Sequence, residues 1–279
     1  MAETAFKTQY RDETIAVFEQ GRSYLMDTAS KESVINGSSA TFLTAGTGGR
    51  EAVTRGVNGL IPSNADDLTQ TVVTLTEWHD KPRRTKFNIF ASQGNGRLIM
   101  QQNTVKVINR KADQIMLTAL GAATNDTGAA TTASLNLVMK SRAILGNAEV
   151  DIEEEENMFG VITPAFEAYL MQVKEFASAD YVDTKPFVGP VRRMRRWAGT
   201  NWIVHPRMSG RGTSAEICFM YHRAALGFAI DTEGMDVDAD YNREDAYYWA
   251  RCSAFLGAGL LQNAGVVVMN HDGSAFVAS

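Results

Sequence analysis

Three groups of residues in this chain have types and spacings that could support chemistry. Asp236, Asp238 and Asp240 follow the first half of a calcium loop. Such a loop needs glycine at its sixth position and glutamate at its twelfth. Tyr241 and Tyr247 stand there instead. Gly46-Thr47-Gly48 and Gly94-Asn95-Gly96 open like a dinucleotide-binding fingerprint, but Glu51 and Ile99 occupy the third glycine's place. Cys218 and His222 have the spacing of a nucleophile and base on a helix, yet the composition around Cys218, AEICFMY, favours a strand. There is no Gly-Lys pair for a phosphate loop and no G-x-S-x-G elbow. The histidines, His79, His205, His222 and His271, are scattered without paired-ligand spacing. Cys218 and Cys252 form neither a zinc spacing nor a disulfide framework. No catalytic, cofactor-binding or metal-ligating set emerges, which points to a structural or binding role.

Composition narrows the class further. A chain of 279 residues with 44% hydrophobic content can bury a sizeable core and form several subdomains. Its net charge of −5 argues against non-specific coating of nucleic acid. No run reaches the roughly 18 apolar residues of a membrane span, and the polar start, MAETAFKTQYRDE, does not read as a signal peptide.

The elements that would position these residues centre on one helix. Between Gly94 and Gly121, Leu98, Val105, Ile108, Ala112, Ile115 and Ala119 recur at helical steps. Arg97, Gln101, Asn103, Arg110, Asp113 and Gln114 take the other side. The spacing predicts a helix over 95–121, at about 1.5 Å per residue roughly 35–40 Å long. Residues 1–30 read as an amphipathic arm: Phe6, Tyr10, Val17 and Tyr24 make a helical stripe interrupted by Gly21, so the end is expected as a docked helix or as an arm reaching onto a neighbour. Leu68 to Thr76 is β-branched and strand-like, and with Ser33 to Thr44 it frames a glycine-rich region carrying Arg50, Glu51, Arg55, Asp66 and Asp67. That region has too few large apolar residues for a core of its own. An extended hairpin of this kind is marginal in water, so it is expected to rest on another body, such as another subunit.

The basic cluster Lys81, Arg83, Arg84 and Lys86 reads as a solvated or intersubunit strand, and Glu149 to Glu156 as a solvated acidic face. Helices are predicted at 135–147 and from Pro164, capped by Thr163 after the apolar strand Phe159 to Ile162. Paired strands are expected around Ala198-Gly199, a buried strand over 215–221, and final strands within 245–269.

In its order of motifs the chain resembles the major capsid proteins of tailed bacteriophages of the Hong Kong 97-type fold. The resemblance covers almost the whole chain. It rests on Arg110-Lys111-Ala112-Asp113, Leu117 to Ala123 and Thr127-Gly128, then on Ser178 to Tyr181, Gly189-Pro190-Val191, Ala198-Gly199 and Asn201. Ala224 to Gly227 and the terminal Gly257 to Val268 stretch complete it. The resemblance implies an α+β fold with an N-terminal arm at 1–43 and an extended loop at 44–86. It implies a peripheral domain at 87–127 and 236–279 containing the spine helix 95–121, and a β-rich axial domain at 128–235.

The function so implied is a shell subunit that assembles itself into an icosahedral head enclosing double-stranded DNA without reading its sequence. The expected partners are copies of itself in pentamers and hexamers, with a portal, a scaffolding protein and a decoration protein. No cofactor, metal or membrane is implied. The place is the virion, after assembly in the host cytoplasm. Arg50, Glu51, Arg55, Asp66, Asp67, Arg83 and Arg84 are the expected inter-subunit contacts. Arg50 to Asp80 contains no lysine, so the lysine–asparagine cross-linking of the fold's founding member is not expected. The chain starts at Met1 without a long charged helical extension, so the scaffold is expected to be a separate protein. An encapsulin-like compartment, holding protein cargo in the same fold, is the alternative.

Overall fold

The computed structural model describes residues 20–32, 37–46, 51–61, 63, 67–85, 96–174 and 194–276. One long helix, α1 (Gly96–Leu120), lies between two five-stranded sheets. The first sheet contains β1 (Ser30–Glu32), β4 (Thr76–Asp80), β5 (Arg83–Thr85), β10 (Leu226–Asn242) and β11 (Tyr247–Leu260), in the order β1-β10-β11-β4, with β5 also on β11. The second runs β12 (Val266–His271), β9 (Glu216–His222), β6 (Met158–Ile162), β8 (Thr200–Val204), β7 (Met194–Trp197). Two further helices, α2 (Leu135–Asn147) and α3 (Pro164–Leu170), belong with this second sheet. A separate two-stranded ribbon pairs β2 (Ser39–Gly46) with β3 (Asp67–Thr74).

The central strands of the second sheet, β6, β9 and β12, are mostly apolar because both of their faces are covered. Successive side chains point to opposite faces. Phe219, Tyr221, Val266 and Val268 therefore join the core around α1, while Cys218, Met220, Val267 and Met269 join the core under α2 and α3. Thr163 starts α3 as expected, its Oγ1 accepting from Phe166 N at 3.2 Å ahead of Pro164. Ser134 does the same for α2 through Leu137 N. The hairpin β7–β8 turns through Ala198 and Gly199, both at positive φ.

Two expectations need correction. The buried edge of α1 is Met100, Thr104, Ile108, Ala112, Met116 and Leu120, at steps of four. Of the predicted stripe, Ile108 and Ala112 lie on it, Val105, Ile115 and Ala119 flank it, and Leu98 is 47% exposed. A helix gripped from two sides has no single apolar stripe. Asp113, assigned to the polar side, is fully buried. Second, the arm's described part, residues 20–32, is not helical; it runs across α1 and enters the first sheet as β1, parallel to β10. Residues 1–19 lie outside the described residues. The three aspartates that imitate a calcium loop, Asp236, Asp238 and Asp240, lie on strand β10. Asp236 pairs with Arg251 on β11 at 2.9 Å.

Candidate assembly surface

Among the described residues, the ribbon β2–β3 is the element that the subunit's own body leaves largely uncovered. Its ladder runs from Ser39 opposite Thr74 to Gly46 opposite Asp67. Only its base is seated: Ala40 and Val73 pack on Ala229 of β10, with Phe42 and Leu75 beside them. Glycines make that seat possible. A Cβ on Gly257 would lie 2.6 Å from Thr74 O, and one on Gly259 would lie 2.8 Å from Val73 Cγ2. After Leu75 the chain continues into β4 and then β5 on β11. So within the predicted loop 44–86, residues 76–80 and 83–85 are strands of the subunit's own sheet.

Beyond its base the ribbon is bare. Every residue from 51 to 61 is exposed. Leu43, Val53, Val57, Leu60, Ile61, Leu68 and Val72 all present apolar side chains to solvent, Leu60 at 73% and Ile61 at 68%. The tip is built by a short turn, with Gly59 at φ +72° and its N–H donating to Gly56 O at 2.8 Å. A concentration of exposed large apolar groups on one projecting element marks an interaction surface.

The predicted contact residues fall on or beside this ribbon. Glu51, Arg55 and Asp67 are exposed on it, Arg55 donating to Gly59 O at 3.5 Å. Arg50 and Asp66 lie outside the described residues. Arg83 and Arg84 are not on the ribbon but on β5, where the Arg83 guanidinium sits 5.0 Å over the Tyr247 ring. The charged residues are evident in the sequence; the structure adds the apolar row, which has no periodicity because its residues are spread over a strand, a tip and a second strand.

Two buried carboxylates fix the body that carries the ribbon, and sequence reasoning missed both. Asp113 on α1 accepts from Gln20 Nε2 and Ser23 Oγ, from Tyr24 N at 3.0 Å and Leu25 N at 3.2 Å, and from His205 Nε2 at 3.4 Å. The His205 Nδ1 accepts from Arg207 N at 3.2 Å, so the ring proton sits on Nε2 and faces Asp113. Burial alone would raise the Asp113 pKa, but the hydrogen bonds from His205, Ser23 and Tyr24 outweigh it and hold the carboxyl below its ordinary 3.8. One carboxylate thus ties the arm, the spine and the loop after β8 together.

The second carboxylate is Glu216 on β9. It accepts from Thr163 Oγ1 at 2.6 Å, from Gly212 N at 2.6 Å, and lies 2.9 Å from His271 Nδ1. Gly273 leaves it room, since a Cβ there would meet the carboxylate at 2.4 Å. Both oxygens of each carboxylate accept from donors on other elements, so both groups act as structural ties. Among the described residues no group of three or more His, Cys, Asp or Glu side chains could hold a metal ion. No described helix is long and apolar enough to cross a membrane.

A family model described as phage capsid protein matches residues 2–273. The chain belongs to this family. It is a major capsid protein, a virion component that associates with copies of itself into an icosahedral phage head. The solved structure of Mycobacterium phage Che8 is similar with a TM-score of 0.74 at 12% identity, over 96% of this chain and 98% of that one. The capsid of a native GTA particle gives 0.73 at 12% identity, over 97% of both chains. The capsid of Ralstonia phage GP4 gives 0.68 at 12% identity, over 98% of this chain and 97% of that one. Identities this low show the fold alone, and that fold is the Hong Kong 97 type. No curated protein matches significantly. For a capsid subunit the bare ribbon is the candidate functional surface.

Proposed function

We propose that this capsid protein closes its shell by laying the β2–β3 ribbon over an adjacent copy. The observation that carries the proposal is the row Leu43, Val53, Val57, Leu60, Ile61, Leu68 and Val72, exposed on a ribbon seated only at its base. Burying one such side chain fully contributes about 1.5–3 kcal/mol, from which the lost rotational and side-chain freedom of association is subtracted. Glu51, Arg55 and Asp67, with Arg50 and Asp66, make charged contacts around that apolar row. Exposed ion pairs add only about 0–1 kcal/mol each, so they set register more than strength. Every copy repeats the contact, and a closed lattice multiplies it.

The remaining parts of the proposal follow from membership of the fold. Residues 87–127 and 236–279 form the peripheral domain, and residues 128–235 the axial domain that packs pentamers and hexamers. The head encloses double-stranded DNA, and a net charge of −5 suits a container that must not adhere to its cargo. A portal, a separate scaffolding protein and a decoration protein are the further partners, with assembly in the host cytoplasm. The protein's work is assembly, not catalysis.

The test is a ribbon that ends early. Gly46 and Asp67 are a paired position of the ladder, so residues 47–66 can be replaced by Asn-Gly, a two-residue hairpin turn. The expected product is a folded subunit that forms capsomers or smaller species and no closed shells under electron microscopy. Normal shells from this variant would refute the proposal.

A further inference from the structure

A second feature of the spine helix has no part in the ribbon and meets the buried carboxylates only through His205. Val107, Arg110, Lys111 and Gln114 share one face of α1 by their spacing. With His205 and Arg207 from the loop after β8 they line a cavity of about 270 Å³. Three of the six lining residues are cations and none is a carboxylate. In a chain of net charge −5 this is a local reversal of sign.

The three cations are not equally committed. Arg110 lies close enough to Asp80 for its charge to stabilise that carboxylate. Lys111 is held over the Trp78 ring, its Nζ 3.9 Å from the centroid, and donates to Gln114 Oε1 at 3.3 Å. Neither interaction neutralises its charge. The Arg207 side chain is exposed, and its guanidinium makes no hydrogen bond or ion pair among the described residues; only its backbone N–H is used, by His205 Nδ1. Gln114 accepts through Oε1, which leaves its amide N–H groups free to donate. His205 offers no ring nitrogen, because Nδ1 accepts from Arg207 N and Nε2 faces Asp113. The cavity therefore presents two uncompensated positive charges and a neutral amide donor, with Val107 and the imidazole as its wall.

We propose that this cavity is a binding site for a phosphate dianion, either orthophosphate or the terminal phosphate of a phosphomonoester. The match is one of charge and donors: such a group carries about −1.5 to −2 at neutral pH and three strong acceptor oxygens. A carboxylate from a protein partner brings one negative charge, and a backbone phosphodiester also brings one. The volume exceeds what a lone phosphate fills, at about 30 Å³ for each water it would otherwise hold, so a substituent fits beside it. The site uses none of the ribbon's residues, so its failure would leave the assembly proposal standing.

The test is calorimetric titration of the purified full chain, in chloride buffer, with inorganic phosphate and separately with a 5′-mononucleotide. Saturable binding of one ligand per chain is expected. Equal affinities assign the free dianion, and tighter nucleotide binding assigns the monoester. Arg207→Ala and Lys111→Ala are each expected to weaken binding about tenfold or more, the loss of one charge-assisted hydrogen bond. Arg243→Ala, exposed and outside the cavity, is expected to leave it unchanged. Binding is expected to weaken as pH falls below the second phosphate pKa of about 6. No saturable binding, or undiminished binding in both cavity variants, would overturn the assignment. So would preference for an acidic peptide covering residues 149–156, or for an oligonucleotide without a terminal phosphate.

Discussion

Asp113→Asn is the sharpest perturbation of the body that carries the ribbon. The substitution keeps the shape, removes the charge and turns one acceptor oxygen into a donor. Oδ1 takes Ser23 Oγ and the Leu25 and Tyr24 N–H groups; Oδ2 takes Gln20 Nε2, His205 Nε2 and Tyr24 N–H. The new amide nitrogen does least harm on the Oδ2 side, where it faces two side-chain donors. Gln20 can answer by rotating its own amide, since its Oε1 is buried without a partner. His205 cannot, because its Nδ1 is committed to Arg207 N. With an unpaired buried donor costing about 1–3 kcal/mol and the charge-assisted bonds weakened, the expected loss is about 2–4 kcal/mol. The pH dependence gives a second reading. Asp113 is held below its ordinary 3.8, so its contribution is complete above that value and disappears as pH falls through the lower folded-state pKa. The gap between wild type and variant should therefore be constant at neutral pH and narrow below about pH 4. Denaturation of subunits across pH measures it, and hydrogen exchange at the Tyr24 and Leu25 amides reports detachment of the arm. A loss under about 1 kcal/mol, or a gap that ignores acid, would refute the reasoning.

Other predictions separate assembly from folding. Leu60→Ser with Ile61→Ser should leave subunit stability within about 0.5 kcal/mol, because both are exposed, yet abolish or greatly slow shell closure seen by light scattering. Gly257→Val should unseat the ribbon's base, since a Cβ there meets Thr74 O at 2.6 Å; a loss of about 1–3 kcal/mol is expected by denaturation. Glu216→Ala should cost about 3–5 kcal/mol by the same assay, leaving Thr163, Gly212 and His271 without their acceptor in a fully buried place. Burial pushes the Cys218 thiol up to about 12, so a maleimide at pH 8 should not label it in the folded subunit and should label it after denaturation.

The elements most legible in the sequence were those whose signals are local. Ser134 aside, α2 was set by periodicity alone, and α3 by the Thr163-Pro164 cap and first turn. The apolar run around Cys218 became a strand because both faces of its sheet are covered. The second half of β10 was harder, because Asp236, Asp238 and Asp240 alternate outward on an exposed face and imitate a metal loop. Asp113 was illegible for a different reason. A carboxylate among Arg110, Lys111 and Gln114 reads as surface, and only the arm and His205, 88 or more residues away in sequence, bury it. The ribbon is legible in the sequence by what it lacks, a core, and its charged residues by position, whereas the individual members of its apolar row are not. The apolar row is visible only when the ladder sets Leu43 and Leu68 near the same end.

The central claim is that the ribbon's apolar row is completed by another copy of the chain. A reconstruction of the assembled shell by electron cryomicroscopy tests it most directly, at a resolution that shows side chains. Val57, Leu60 and Ile61 should lie buried against a neighbouring subunit, each with carbon contacts closer than about 4.5 Å. A shell in which those three side chains still face solvent, with the subunits joined through other surfaces, would contradict the account.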